Sequence, residues 1–554
     1  MKVEDEPQSW QELTLHGMLE RTTQRWPDGL ALVDGNQRLT YASLWRRVQR
    51  LARGLLAAGI GPGDHVATLF GPRLEWVCLQ YALSTIGAIV APLNTRLQAA
   101  ELRQALASMD CVALVTCDRE GTHDLLRVVF EACPEMQFAT DGAVRGEGLP
   151  RLRLGIRFSP DGEAPGPFLP FNRLESQLAE EIPADFQARI GTFFPNAAAV
   201  ILQTSGSTSA PKAVMLSHSN LIGHAHFLSR FLGIGPGERY LNALPFFHVA
   251  GLAQSVVMNH YAGSALFLPQ RFTSDEIVET IVQQRITAWA AMPVTTQRVL
   301  DYAESAGYRL ETVRVQHGVS PELWDRVAGF MPRALLTRMY GLTESAGLVT
   351  MTSPDETDPA RRRESVGTPL PGVEVRICDP DAGHELPLGR MGEITFRGWN
   401  VFRRYYGDPK LTAQTVDPHG YCHSGDYGYI DEDGRLFLVG RRKEIVKTGG
   451  ENVSQAEVEQ ILRKYVPGAR AVCVIGVPDP VWGEAVTAVV EPDPLATLDL
   501  DVVQRCCRSH MASFKLPRHV LLMTPAGWPL TPSGKMDKKA LQTWAMKQLG
   551  ISAG

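Results

Sequence analysis

The chain has 554 residues, more than one hydrophobic core usually serves, so two or more domains are expected. Its composition, 44% hydrophobic and 21% charged, is that of a globular protein, and a net charge of -5 leaves no domain-wide basic excess to neutralise nucleic-acid phosphates. Nine scattered cysteines without a CxxC pair read as reduced thiols, and the acidic start MKVEDEPQSW lacks the basic-then-apolar pattern of a secretory leader, so a cytoplasmic protein without a membrane span is expected.

The first strong element is YASLWRRVQRLARGLLAAG, residues 41–59, which sets Leu44, Val48, Leu51, Ala52, Leu55 and Leu56 on one helical face behind Thr40 as N-cap. Arg46, Arg47, Arg50 and Arg53 fall largely outside that face and read as a solvated flank. GIGPGD, residues 59–64, lacks GxGxxG spacing and follows a helix, so it is a turn into the strand HVATLF. VCLQYALSTIGAIVAPL, residues 77–93, is interrupted by polar residues, Gly and Pro, and suits a buried helix running into a strand. Helix and strand patterns alternate to about residue 330, which predicts layered α/β structure with a largely parallel sheet. The Gly-, Pro- and charge-rich stretch 141–190 breaks the pattern and reads as a surface excursion. From about 365 to 440 short strands with turns take over, DEDG marking a hairpin. The helix SQAEVEQILRKY, the strand AVCVIGV and the helix DLDVVQRCCRSHM then suffice for a small terminal domain.

The stretch QTSGSTSAPKAVMLSHSN, residues 203–220, packs hydroxyls, a glycine, a proline and Lys212 between two apolar strands, AAAVILQ and AVMLS. A flexible interdomain linker is not normally clamped in that way. Hydroxyls and backbone N–H groups converging on anionic oxygens, with one mobile ammonium, suit a polyphosphate. It is not a Walker loop, because GK[ST] is absent.

TSGSTSAPK resembles the phosphate loop of the adenylate-forming superfamily, which includes acyl-CoA synthetases, firefly-luciferase-like enzymes and the adenylation domains of nonribosomal peptide synthetases; it departs at Ser209 and Ala213, where glycines are usual. The resemblance implies that Thr204, Ser205, Gly206, Ser207, Thr208 and Lys212 meet ATP phosphates. Further motifs follow in family order across nearly the whole chain. MYGLTE resembles the YGxTE motif, which implies Tyr340 stacked on adenine beside Gly341, Thr343 at the α-phosphate and Glu344 holding Mg2+. VRVQHGVSPEL is a shortened counterpart of the preceding adenine turn, with Gly318 as the nearest match. YCHSGDYGYID implies Asp426 on the ribose hydroxyls, and GRRKEIVKTGGENVSQAEVE implies Arg441 on ribose, Lys443 as hinge residue and a Gly449–Gly450 loop past which the pantetheine arm of coenzyme A would run. PLTPSGKMDKKAL resembles the C-terminal motif whose lysine, here Lys535, is catalytic; a cation bridging a carboxylate and an α-phosphate would offset their repulsion.

The implied architecture is α/β, with a large N-terminal domain of layered, mostly parallel sheets with helices plus a small β-barrel-like subdomain over 1–440, and a smaller mobile α+β C-terminal domain over 441–554. The implied reaction is that of an AMP-forming acyl-CoA synthetase: a carboxylic acid and Mg-ATP give an acyl-adenylate, and coenzyme A displaces AMP. PFFHVAGLAQSVVMN, residues 245–259, contains no carboxylate to pair an α-ammonium group, which disfavours an amino acid, while Phe246, Phe247, Val249 and Leu252 favour an apolar fatty or aromatic acid. His248 stands where acyl- and aryl-CoA synthetases place a histidine near the carboxylate and thiol. Two alternatives stay open, an acyl-AMP ligase loading a carrier protein and a nucleotide-binding protein without ligase activity, as does a homodimer.

Overall fold

Helix Tyr41–Ala57 begins where the sequence predicts, with the Thr40 side chain accepting from Ser43 N. The computed structural model describes residues 9–138, 142–144, 148–159, 166–176, 193–204, 211–441, 444–448, 451–511, 513–530 and 536–551. The chain divides into two units, Met1–Val375 with Phe396–Cys422, and Arg376–Thr395 with His423–Gly554.

The first unit holds two large sheets. One has seven strands, in the order Leu335–Thr337, Val315–His317, Ala288–Ala291, Arg239–Ala243, Ala265–Leu268, Leu30–Asp34 and Gln37–Thr40. All its pairings are parallel except the last, a hairpin through the Gly35 turn. The other has eight, in the order Arg404–Tyr405, Lys212–Ser217, Ala198–Thr204, Ile89–Pro92, His65–Leu69, Cys111–Cys117, Leu154–Phe158 and Leu169–Pro170. Parallel strands buried on both faces read as continuous apolar runs, as CVALVTC does here; every residue of Cys111–Cys117 is buried.

Helix Leu74–Thr85, expected as the buried helix before a strand, is buried at all of its residues. Such a helix must satisfy its few polar groups internally: Trp76 Nε1 donates to Thr68 Oγ1 (3.1 Å), and Tyr81 Oη bonds His260 Nδ1 (2.9 Å).

Two expectations are corrected. Within 141–190, Leu154–Phe158 pairs with Cys111–Cys117 and Leu169–Pro170 pairs with it in turn, so these segments complete a sheet rather than run over the surface. The apolar Leu154 and Ile156 of RLRLGIRF, two positions apart on the same face, are both buried and were hidden by the surrounding Gly and Pro. Nor are the arginines of Tyr41–Ala57 uniformly solvated. Arg46 and Arg50 are exposed, but Arg47 pairs with Glu175 (2.7 Å) and Glu75 (3.1 Å), and Arg53 is buried with Nε directed at Gln49 O.

The second unit carries a five-stranded sheet built on the long antiparallel pair Ala469–Asp479 and Gly483–Pro492. Alternate residues divide between its faces. Val472, Val474, Val486 and Val490 pack under helices Gln455–Tyr465 and Leu500–Cys507, while Cys473, Ile475, Val477 and Val489 pack under Lys538–Leu549. The DEDG hairpin forms between Cys422–Ile430 and Leu436–Arg441 as expected. Among the described residues no helix is long and apolar enough to cross a membrane.

Candidate active site

Strands Ala198–Thr204 and Lys212–Ser217 pair antiparallel with Thr204 opposite Lys212, so the hydroxyl-rich stretch connects two adjacent strands and is not a linker. Ser205, Gly206, Ser207 and Thr208 lie outside the described residues. The strand continues into helix His218–Leu232 through Ser217, whose Oγ accepts from Asn220 N while Asn220 Oδ1 accepts from Ser217 N.

Lys212 is fixed from the other side by a short strand. Val214 pairs with Tyr405, and the Lys212 ammonium sits 5.1 Å from the centroid of the Tyr405 ring, within cation–π range. The Tyr405 hydroxyl donates to Glu344 Oε1 at 2.7 Å. Burial, and then the neighbouring Glu344 carboxylate, push ionisation of that phenol far up, so it remains a donor. The backbone reinforces the contact: Phe402 N donates to Glu344 O at 2.8 Å. Lys212, expected at the phosphates, and Glu344, expected at the metal, are thereby held on one aromatic side chain.

Glu344 is buried on a single turn, Thr343–Ser345, next to the half-buried Thr343. Ser345 Oγ accepts from Leu342 N and donates to Leu342 O (2.9 Å each), and Ala346 and Gly347 follow in left-handed conformations, φ 52° and 87°. Gly341 is required here, since a Cβ on it would meet the Gly347 carbonyl at 2.4 Å. Tyr340, one residue earlier, is buried in a two-residue strand against Thr350–Met351. Gly318 is exposed at the end of Val315–His317 with φ 71° and nothing within 4 Å of a would-be Cβ, leaving its backbone approachable.

His248 is exposed at the start of a π-helix, Ala250–Val257, a form frequent at functional sites. Its neighbours require a correction: Phe246 packs on Trp76 at 4.6 Å between ring centroids and Leu252 is wholly buried, so both belong to the core. Phe247 and Val249, half-buried, remain beside His248.

In the second unit, Asp426 and Arg441 are register partners on adjacent strands, with Arg441 Nε 2.8 Å from Asp426 Oδ1. Asp426 is buried and Arg441 exposed, and Ser424 Oγ accepts from Asp426 N. Lys443, Gly449, Gly450 and Lys535 lie outside the described residues; beside them, Thr448 pairs with Glu451 and Leu530 with Met536. Sequence reasoning missed Tyr405, whose partner Glu344 lies 61 positions away, and the buried histidines His224 and His317.

Residues 19–406 match the model of the AMP-binding enzyme family, and 457–535 that of the AMP-binding enzyme C-terminal domain. Among curated proteins, the feruloyl-CoA synthase of an Amycolatopsis species is 32% identical over 92% of this chain and 95% of its own length. The mitochondrial medium-chain acyl-CoA ligase of Macaca fascicularis is 30% identical over 97% and 88% respectively. The crystal structure of ATP-bound MatB from Rhodopseudomonas palustris superposes with a TM-score of 0.78 at 27% identity, covering 97% of this chain and all of that one. The chain belongs to the AMP-binding enzyme family, the adenylate-forming enzymes. Within it, the protein is an AMP-dependent acyl-CoA ligase, which activates a carboxylic acid to an acyl-adenylate and transfers the acyl group to coenzyme A.

Proposed function

We propose that the acid is a fatty or aromatic carboxylic acid without an α-amino group, and that the site residues carry the roles their motifs suggest. The juxtaposition of Lys212, Tyr405 and Glu344 supports this reading best, because it gathers a phosphate-binding cation and a carboxylate at one place. Lys212, with Thr204 and the hydroxyls of Ser205, Ser207 and Thr208 beside Gly206, binds the phosphates. Tyr340, Gly341 and Gly318 receive the adenine, and Asp426 and Arg441 the ribose. Thr343 and Lys535 hold the α-phosphate and the attacking carboxylate together, Lys535 as the bridging cation.

Among the described residues no three His, Cys, Asp or Glu side chains could form a metal cage. A single buried carboxylate such as Glu344 nevertheless suits Mg2+, which takes one or two protein carboxylates and completes its shell with phosphates and water. When bound, the ion would neutralise phosphate charge. His248 would orient the acyl carboxylate and line the approach of the thiol, with Lys443 as hinge and the bare backbone of Gly449 and Gly450 beside the pantetheine arm. The nine cysteines, all free and all but Cys506 buried, favour a reducing, cytoplasmic setting.

A panel of fatty and aromatic acids, assayed for acid-dependent pyrophosphate release and CoA-dependent AMP formation, tests the proposal. Activity with such acids and none with amino acids is expected, and Lys535→Ala should slow pyrophosphate release by roughly a hundred- to a thousandfold. Pyrophosphate release without CoA-dependent AMP formation would point to a carrier protein as acceptor. An unchanged rate in the variant would remove Lys535 from the chemistry.

A further inference from the structure

A groove of about 720 Å3 opens on the first unit, with Ser108 and Asp110 on one side and residues from 402–416 on the other. That volume is in the range that holds small organic ligands. Its lining is of two kinds. Pro409, Ala413 and Val416, on and beside the short helix Pro409–Thr415, give it an apolar part. Arg403 and Arg404 give it a basic part. Both arginines are exposed, and among the described residues neither forms an ion pair. Arg404 Nε lies 3.5 Å from Met215 Sδ, a weak acceptor. The carboxylate in the lining, Asp110, is already engaged, because its Oδ2 accepts from Tyr406 Oη at 2.8 Å. Arg151, also exposed, stands near enough for its charge to act on the Tyr406 phenol, as that of Arg404 does.

A chain of net charge -5 thus carries a basic spot without counter-charge, set against an apolar wall in one groove. The planar guanidinium fork matches the oxygens of a carboxylate or phosphate, and such bonds are about twice as strong as neutral ones. A neutral hydrocarbon would gain nothing from the arginines, and a bare inorganic anion would gain nothing from the apolar wall. Only a ligand with an anionic head and an apolar body uses both. Among the described residues, none of those given a role in adenylation or thioester formation lines the groove. Tyr405 does, so an occupant would lie one side chain away from Lys212 and Glu344.

We propose that this groove is a second ligand site, which takes an amphipathic anion. The carboxylate or phosphate head lies on Arg403 and Arg404, and the apolar body runs along Pro409, Ala413 and Val416. A free carboxylic acid and an acyl-CoA thioester share that chemistry. The site is additional to the ligase reading and does not depend on it.

Isothermal titration of the full-length protein with octyl phosphate tests this, against inorganic phosphate and octanol, which carry only the head and only the body. Octyl phosphate should bind about tenfold or more tightly than either. In the double variant Arg403→Gln/Arg404→Gln its affinity should fall by about tenfold or more, the scale of charge-assisted hydrogen bonds lost. Ala413→Glu, which sets a carboxylate in the apolar part, should weaken it as well, with thermal melting reporting whether each variant is folded. Octanoate and octanoyl-CoA, titrated in parallel, distinguish a free acid from a thioester by which of them loses affinity in the glutamine variant. Octyl phosphate that binds no better than inorganic phosphate, or equally well to wild type and the glutamine variant, would overturn the inference, the second result placing it in some other site. So would octanoate and octanoyl-CoA both binding unchanged. Absence of acid-dependent pyrophosphate release would instead overturn the ligase reading and leave this site standing.

Discussion

Tyr405 shows how one side chain can join two charged groups that are distant in sequence. Its ring face meets the Lys212 ammonium and its hydroxyl orients the Glu344 carboxylate. A group that hydrogen-bonds a metal-binding carboxylate tunes the metal without touching it. Tyr405→Phe keeps the ring and removes only the hydroxyl, so the half-saturating Mg2+ concentration for pyrophosphate release should rise by roughly 10- to 100-fold. A Mg2+ titration at saturating ATP measures this, and an unshifted curve would detach Glu344 from the metal. The motif residues were legible because hydroxyls, a lysine and a YGxTE carboxylate are chemically conspicuous. Tyr405 was not, since an aromatic residue within FRRYYG carries no local mark of its partner. His224 was equally silent: nothing in HSNLIGHAHFL marks its bond to Ala346 O, 122 positions away.

At the scale of elements, helix Tyr41–Ala57 illustrates both what periodicity reveals and what it hides. Its apolar stripe and Thr40 cap are local properties, and both are found as expected. Gly54 on the same helix is a tertiary constraint: a Cβ there would meet Leu174 O, on the helix Phe171–Ser176, at 2.0 Å. Backbone on both sides leaves little room to relax, so Gly54→Ala should destabilise the protein by about 1–3 kcal/mol despite the better helix propensity of alanine. The denaturant midpoint reads this, and a rise instead of a fall would mean that the two helices separate freely. Composition explains why 141–190 was misjudged. Gly- and Pro-rich composition reports turns, but not the strand at Leu154–Phe158 that joins the sheet between them. In the second unit, Gly483–Pro492 and Lys538–Leu549 received no assignment from the sequence, although AVTAVV has the apolar continuity of a strand covered on both faces.

Across the whole molecule, histidines held neutral by their surroundings are unevenly distributed. Burial lowers His16, His218, His224 and His260 to about 4 and His317 to about 3, and all five belong to the first unit. In the second unit His384, His423, His510 and His519 are exposed or half-buried. Above the ordinary histidine pKa of about 6.5 neither state binds the protons, so the shifts contribute no pH dependence. As pH falls from there toward 4, the unfolded chain takes protons that the folded one refuses, and stability drops by up to about 1.4 kcal/mol per pH unit for each histidine. Hydrogen exchange at pH 5.0 and 7.5, corrected for intrinsic rates, should show protection lost first in the strands of the first unit. Earlier loss in Ala469–Asp479 would contradict this.

The pairing of Lys212–Ser217 with Arg404–Tyr405 also has a consequence for biosynthesis. The strand that begins at Lys212 has no neighbour on that side until residue 405 has been made, roughly 10 to 40 s later at ordinary translation speeds. For that interval a nascent chain holds an apolar edge open to any other unpaired strand nearby, the usual opening for misassembly. Ribosome-bound chains halted before residue 404 should therefore depend on chaperones far more than chains halted once Tyr405 has cleared the exit tunnel.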